Sequence, residues 1–256
     1  MNKACRIASL SLLLLAGCAA FNTGGQPDYR AIVASPDRSE ADRQTDVRRK
    51  PELLLAFAGV REGMKVLDMG AGAGYSTELL ARAVGPRGTV YAQESPNGSP
   101  RARERFEGRA KTPAMRNVVR ALREYDDPIP PKAHDLDLVT FFFAYHDTAF
   151  MPVDRARMNR ELYEALKPGG ALVIADHSAQ PGAGTSVAKT LHRIEESTLR
   201  GEIEAAGFKL IGEADFLRNP ADLRETIVFR PQTPVDEFVL KFVKPAQPRP
   251  GENNTM

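Results

Sequence analysis

The chain has 256 residues and carries 35 Lys and Arg against 33 Asp and Glu, which gives a formal net charge of +2. This balance argues against a polybasic nucleic-acid binder, because the affinity of such proteins depends on releasing counterions from phosphates. Hydrophobic residues make up 42% and charged residues 27%, as in ordinary globular proteins, and no apolar run reaches the roughly 18 residues of a membrane-spanning helix. The length allows one sizeable α/β domain or two small ones.

An export signal is predicted at the amino terminus. Lys3 and Arg6 precede a mostly apolar run over residues 7–15, which is followed by small residues. The run is too short to cross a bilayer as a helix, and the two serines that interrupt it do not give it the polar face of an amphipathic helix. The order of charged, apolar and small residues therefore favours a signal peptide over a helix of the folded domain.

This segment ends in Leu15-Ala16-Gly17-Cys18, which resembles the lipobox of bacterial lipoproteins. The resemblance implies a signal peptide over residues 1–17, cleavage before Cys18 and lipidation of that cysteine. The protein would then be exported and lipid-anchored on the periplasmic side of a bacterial envelope membrane. Residues 18–30 are predicted to be a tether, because they contain Gly and Pro and lack hydrophobic periodicity.

Residues 31–245 form one predicted domain, followed by a polar tail over 246–256 that is predicted to be disordered. Along the domain, helical and strand-like segments alternate. The helical segments are an amphipathic stretch over 37–60 interrupted at Pro51, then 76–84, 101–111, 154–166 with Asp154 as N-cap, and a long helix over 186–206. The strand-like segments are 65–69, 89–93, 117–122, 137–144, 171–175, 209–213 and 237–243. This alternation predicts an α/β fold with a mainly parallel sheet covered on both faces.

The first strand runs into a glycine-rich turn, Asp68-Met69-Gly70-Ala71-Gly72-Ala73-Gly74. Such a turn lets the backbone approach a ligand closely. The dinucleotide fingerprint would need a glycine at position 75, where this chain has Tyr75, and the Gly-Lys-Ser/Thr ending of a phosphate loop is missing. An acid so close to the turn would also repel a pyrophosphate. The turn therefore favours a cofactor with a cationic amine and no phosphate, which is the character of S-adenosyl-L-methionine (SAM).

Glu94 ends the second strand, 20 residues beyond Gly74. An acid at this position can accept hydrogen bonds from both hydroxyls of a ribose. A glycine cluster alone is more often a tight turn, and a glutamate alone is more often a solvated strand end. Together, in a strand–turn–helix–strand context, they favour a cofactor site.

With these motifs and Leu166-Lys167-Pro168-Gly169-Gly170 before the fifth strand, the chain resembles the class I SAM-dependent methyltransferases over residues 45–243. The resemblance implies a three-layer Rossmann-like fold whose seven-stranded, mainly parallel sheet has an antiparallel last strand. It also implies that the methionine part of SAM is held by Asp68, Gly70, Gly72 and Gly74. Glu94 would then hold the ribose, and Asp126 or Asp127 would contact the adenine.

Candidate catalytic residues follow the fourth and fifth strands. His146 and His177 fall at the carboxyl ends of these strands, Tyr145 precedes the first of them, and His192 lies on the following helix. The Tyr-His-Asp, Asp-His and Leu-His-Arg-Ile motifs resemble those of a group of exported predicted methyltransferases. A neutral His is suited to remove a proton from an acceptor near pH 7, and Tyr145 is predicted to be either a pocket wall or a proton carrier.

Structural roles for these histidines are equally open, since each can fill an interface or hydrogen-bond a strand-end carbonyl. A metal site built from the three histidines with Asp147 or Asp176 would suit Zn or Fe, but the ligands lack a compact spacing, so no metal is assigned. The basic runs at 48–50 and 101–109 are interpreted as solvated helix faces, and neither supports a nucleic-acid substrate.

The sequence therefore predicts a lipid-anchored SAM-dependent methyltransferase that acts on an unidentified small molecule. Because SAM is made in the cytoplasm, export keeps a second hypothesis open. This is a non-catalytic binding lipoprotein that reuses the fold for a nucleoside-like ligand or a His-bound metal.

Overall fold

The computed structural model describes residues 25–246, apart from residues 230 and 232. The predicted signal peptide, the lipidation site Cys18 and all but the first residue of the predicted tail lie outside the described residues. Within that range, every helix is too short or too polar to cross a membrane.

The described residues form one sheet of seven strands in three layers with the helices. The strands are β1 (Lys65–Met69), β2 (Thr89–Glu94), β3 (Val118–Leu122), β4 (Leu136–Phe142), β5 (Leu166–His177), β6 (Lys209–Ala214) and β7 (Glu237–Val243). Their spatial order is β3-β2-β1-β4-β5-β7-β6. Neighbours from β3 to β5 are parallel, and β7 is antiparallel to both β5 and β6. The predicted fold class, including the antiparallel last strand, is confirmed.

Eight α-helices and two short 3-10 turns surround this sheet in the part of the chain that the structure describes. The helices are α1 (Tyr29–Val33), α2 (Glu40–Arg49), α3 (Pro51–Ala58), α4 (Tyr75–Val84), α5 (Pro100–Ala110), α6 (Arg155–Ala165), α7 (Ala188–Leu191) and α8 (Glu196–Ala205). The 3-10 turns are Pro113–Met115 and His146–Ala149. Pro51 separates α2 from α3 as predicted, and the Asp154 side chain caps α6 by accepting the Arg157 N–H at 2.9 Å.

Two predicted boundaries are corrected. The folded part begins before residue 31, because the Tyr29 ring is buried and its hydroxyl donates to the Val60 carbonyl at 2.5 Å. The predicted long helix over 186–206 is wrong. It breaks after Leu191, because the Ile194 N–H bonds the His177 carbonyl and the Ile194 carbonyl accepts the Ala179 N–H. These bonds to the end of β5 replace the helical ones.

Alternation along the strands builds two hydrophobic layers. Leu67 and Ile174 belong to a buried hydrophobic cluster on one face of the sheet, which also includes residues of α6 and α8. Val66 and Val173 belong to the other cluster, with residues of α3 and α4. Each such buried side chain contributes about 1.5–3 kcal/mol, so both faces fix the sheet firmly. The carboxyl ends of β1, β2, β4 and β5 are thereby held at one edge.

Candidate active site

A cavity of about 1240 Å³ lies at the carboxyl ends of the parallel strands. Typical ligand sites occupy about 300–1,000 Å³, so this one has room for a nucleoside cofactor and a small second molecule. One side is lined by the predicted glycine turn and by Glu94. A further part of the lining is formed by residues of α2 and of the segment just before it, here named the α2 wall: Asp37, Ser39, Ala41, Asp42, Thr45, Arg48 and Arg49.

The glycine turn has the backbone conformation that the motif predicts. Gly70, Gly72 and Gly74 all have positive φ, at 63°, 56° and 79°. A Cβ on Gly70 would lie 3.0 Å from both the Ala144 Cβ and the Tyr125 hydroxyl oxygen, so a larger residue would crowd the site. Gly70 and Gly72 line the cavity, whereas Gly74 is the N-cap of α4 and is absent from the lining.

Asp68 lines the cavity at the end of β1 and is almost fully buried. Its two carboxylate oxygens accept the hydroxyls of Thr77 at 2.7 Å and Thr140 at 2.8 Å. Burial raises the pKa of Asp68 to about 6. Through these two bonds Asp68 ties the turn to α4 and β4, so it shapes the turn as well as lining the cavity.

Glu94 also lines the cavity at the predicted place, and its side chain is paired. Its two carboxylate oxygens accept bonds from Arg120 of β3, Oε1 from Nε at 2.5 Å and Oε2 from Nη2 at 3.1 Å. A bidentate pair of this kind fixes the carboxylate plane. Arg120 was missed by the sequence reasoning. Its place in the sequence could have indicated this role, because Arg120 lies on β3, the strand that neighbours β2, and β2 carries Glu94.

Asp126, which was predicted to contact adenine, does not face the cavity. Asp126 is absent from the cavity lining, and its carboxylate accepts the Asp154 N–H at 3.3 Å. The preceding Tyr125 lines the cavity, with its ring stacked on Phe141 at 5.9 Å between centroids. An aromatic side chain, rather than the predicted Asp126, therefore faces the cavity at this point.

His146 is buried between two carboxylates. Its Nδ1 lies 2.7 Å from Asp176 Oδ1, its backbone N–H donates to Asp176 Oδ2 at 2.9 Å, and its Nε2 lies 3.2 Å from Asp147 Oδ1. Burial lowers the pKa of His146, but Asp176 and Asp147 outweigh burial and raise it to about 10. The predicted neutral imidazole is therefore a cation at pH 7. Asp147, not His146, lines the cavity.

His177 and Tyr145 are both absent from the cavity lining. His177 is buried with its Nδ1 3.0 Å from Glu237 Oε1 but without hydrogen-bond geometry, and burial lowers its pKa to about 3. Tyr145 is fully buried, donates to Glu202 at 2.8 Å and accepts from Asn159 at 2.9 Å. Its hydroxyl faces α6 and α8, which corrects the expectation of a pocket wall or proton carrier.

The interpretation of the basic runs as solvated helix faces is wrong for Arg49 and Arg109. Arg109 bridges α5 to Asp42 with two bonds of 2.8 Å and also bonds Glu78. The Arg49 guanidinium lies 4.5 Å from the Phe143 ring centroid and lines the cavity, and its buried Nε has no hydrogen-bond partner. Burial and the adjacent Arg48 lower the pKa of Arg49 to about 10, so it stays charged at pH 7.

Helical periodicity in the sequence could have indicated that Arg49 faces the cavity. Asp42, Thr45 and Arg49 fall at i, i+3 and i+7, which places them on one face of α2, and all three line the cavity. The buried residue of α2 is itself an acid, Asp42. A helix whose inward face is polar covers a polar cavity rather than the core.

The order of the seven strands and the glycine turn at their carboxyl edge are those of the Rossmann-like methyltransferase fold. In agreement, the family model described as a methyltransferase domain matches residues 66–170. This range includes the glycine turn, Glu94 and the segment around His146.

Known proteins resemble about half of the chain. A protein-L-isoaspartate O-methyltransferase of Ignicoccus hospitalis is 33% identical over 47% of this chain and 51% of its own length. A ubiquinone/menaquinone biosynthesis C-methyltransferase of Burkholderia multivorans is 32% identical over 48% of this chain and 47% of its own length. The chain thus spans about half the length of the curated relatives it matches.

A solved structure shares the fold over most of the chain. It is a SAM-dependent methyltransferase from Aquifex aeolicus, with a TM-score of 0.57 and 22% sequence identity, which covers 85% of this chain and 98% of its own. At this identity the likeness concerns the fold.

Proposed function

We propose that this protein transfers a methyl group from SAM to a small-molecule acceptor in the cavity. The observation that carries the proposal is that the glycine turn and Glu94 open into the same cavity at the carboxyl edge of the sheet. This is where ligands bind in open α/β folds. When bound, SAM would supply a methyl group on a positively charged sulfur.

Three groups of the chain fit different parts of SAM. The ribose hydroxyls are suited to donate to Glu94, which Arg120 orients. The backbone of the glycine turn allows close approach of the methionyl part. Arg49 lines the cavity, its Nε has no hydrogen-bond partner, and its guanidinium fits the methionyl carboxylate.

The acceptor end of the cavity lies at Asp147. Phe150 and Met151 line the cavity beside it, so the acceptor would meet one carboxylate on an apolar wall. Methyl transfer is an in-line displacement that depends mainly on positioning. Asp147 would orient the accepting atom through a hydrogen bond, while the charged imidazole of His146 holds that carboxylate in place. His177 and Tyr145 would then act by packing.

The test is calorimetric titration of SAM and S-adenosylhomocysteine (SAH) into the full chain. Micromolar binding, about −8 kcal/mol, is expected, and Asp68→Ala and Glu94→Ala should each weaken it while the protein stays folded. Unchanged affinity in both variants would contradict the cofactor assignment. The non-catalytic binding lipoprotein is the less favoured hypothesis, since the methyltransferase-domain match covers the cofactor motifs.

We also propose that the protein is exported and anchored through lipid on Cys18. The support is the order of charged, apolar and small residues before the Leu-Ala-Gly-Cys motif. Cys18→Ser should move the protein from the membrane fraction to the soluble fraction. If that variant is still processed and fractionates like the wild type, the lipobox interpretation is incorrect.

A further inference from the structure

Three potential metal ligands converge at the edge of the cavity. His146 and Asp147 begin the 3-10 turn after β4, and His192 follows α7. His146 Nε2 and His192 Nδ1 each lie 3.2 Å from Asp147 Oδ1, and one ligand atom from each residue lies within 4.8 Å of the others. Ligand atoms around a tetrahedral ion with bonds of about 2.0–2.1 Å are about 3.3 Å apart. The two measured distances fit that spacing.

Asp176 orients the first of these ligands. It is fully buried, and its carboxylate accepts the backbone N–H groups of His146 and His177 at 2.9 and 2.8 Å, which fixes its position. Its Oδ1 lies 2.7 Å from His146 Nδ1, so Nδ1 carries a proton and Nε2 is the atom turned toward Asp147. A metal ion bound there would displace the Nε2 proton of the charged imidazole. A carboxylate behind a histidine in this way is the usual support of a metal-binding imidazole.

The backbone at His192 is held in an unusual conformation that directs its side chain. His192 occupies the left-handed C-cap position of α7, with φ 54° and ψ 51°, where glycine or asparagine is the common residue. Its imidazole reaches Asp147 from there, between the rings of Phe150 and Phe229 at 5.7 and 4.7 Å. A non-glycine residue in this conformation is retained where the surroundings over-determine it, often at functional sites.

We propose that His146 Nε2, Asp147 and His192 Nδ1 bind a divalent first-row transition-metal ion, with an open position toward the cavity. Two imidazoles and one carboxylate form a donor set that suits Zn²⁺ and its neighbours. Because Asp147 lines the cavity, a small molecule can reach the open position. His177 is outside this set, because its Nδ1 faces Glu237.

Such an ion would polarise the accepting atom, which deepens and rests on the proposed methyl transfer. Metal binding itself does not depend on that function. The two ideas can therefore be tested separately on the same protein.

The experiment is titration of Zn²⁺ into the untagged full chain after chelator treatment, with both cysteines replaced by serine so that thiols cannot bind the ion. One ion per chain is expected, and Co²⁺ should give the visible absorption of a low-coordinate site. Asp147→Asn and His192→Asn should each weaken binding at least about tenfold, since even loss of a supporting partner costs about 10–100-fold. Asparagine tolerates the left-handed backbone at position 192.

His134→Ala is the matched control. His134 is exposed and lies 3.0 Å from Asp135, so it offers a His–Asp pair on the surface, outside the proposed ligand set. This variant should bind Zn²⁺ like the parent. Thermal unfolding of each variant checks that it is folded.

Less than stoichiometric binding at micromolar Zn²⁺, or equal affinity in parent and both ligand variants, would overturn the proposal. SAH titrations run in parallel separate the two ideas. Zn²⁺ binding without SAH binding would leave the metal site standing and refute the proposed function, whereas SAH binding without Zn²⁺ binding would do the reverse.

Discussion

Arg49→Met tests whether the unpartnered guanidinium of the α2 wall binds the carboxylate of the cofactor. Methionine keeps a flexible side chain against Phe143 and Tyr75 but has no charge and no donor. The free protein loses no hydrogen bond from Nε, because that atom has no partner. We therefore expect the melting temperature to stay constant or rise, since a buried charge is relieved.

The expected loss is in ligand affinity. A hydrogen bond between charged groups contributes about 1.5–3 kcal/mol, which corresponds to a 10- to 150-fold increase in the Kd for SAH. Methylthioadenosine carries the same adenosine and sulfur but no amino-acid group, so its Kd should change little. Titration of both ligands into wild type and Arg49→Met forms a double-mutant cycle that isolates this one contact.

Arg87→Met is the control for a general effect of charge, because Arg87 is exposed and pairs with Glu62 at 3.1 Å. It should leave both affinities unchanged. If Arg49→Met weakens the binding of SAH and of methylthioadenosine equally, the guanidinium shapes the cavity without contacting the carboxylate, and the proposed contact is refuted.

Three more predictions concern stability. Gly70→Ala should lower the free energy of unfolding by more than Gly63→Ala does. Both glycines have positive φ, but the space around Gly63 is open. Equal losses of unfolding free energy in chemical denaturation would refute the crowding argument. Tyr145→Phe should lower the free energy of unfolding by about 1–2 kcal/mol, because hydrogen bonds are lost, without changing the affinity for SAH. A weaker affinity would show that Tyr145 contributes to the binding site. Burial raises the pKa of Glu237 from 4.5 to about 7, so the native state keeps a proton that the unfolded chain loses. The stability of wild type relative to Glu237→Gln should therefore fall by roughly 3 kcal/mol as pH rises from 4.5 to 7, and an unchanged difference between the two would refute the shift.

The sheet could be predicted because its signals are local. The apolar run over 137–144 and the shorter run at 65–69 each specify a buried strand by themselves, and the order of strands and helices then leaves few topologies. The start of β5 at Leu166 could not be predicted from the sequence, because it depends on pairing with Leu136 of the neighbouring strand β4. That segment contains a proline and two glycines, which locally indicate a turn.

The sequence located the cavity-lining residues that follow strand ends and missed those whose position depends on tertiary contacts. Asp68, Gly70 and Glu94 line the cavity because the carboxyl ends of parallel strands meet at one edge. Arg49 could not be placed in the same way, since its position requires α2 to fold back over that edge. The direction of the Tyr145 hydroxyl likewise depends on α8, far along the chain.

Helix α2 is attached to the rest of the domain by polar contacts to three different elements. Asp42 bonds Arg109 of α5, Asp46 accepts the Tyr75 hydroxyl of α4 at 2.6 Å, and Arg48 pairs with Glu237 of β7 at 2.7 Å. Water can replace each of these polar contacts, although detachment of the helix would also uncover the Phe143 and Tyr75 rings that Arg49 covers. Detachment would require these ion pairs to break, so its activation barrier should decrease as salt concentration rises, because screening weakens ion pairs. The rate at which the cofactor leaves would thus respond to the ionic strength around the protein.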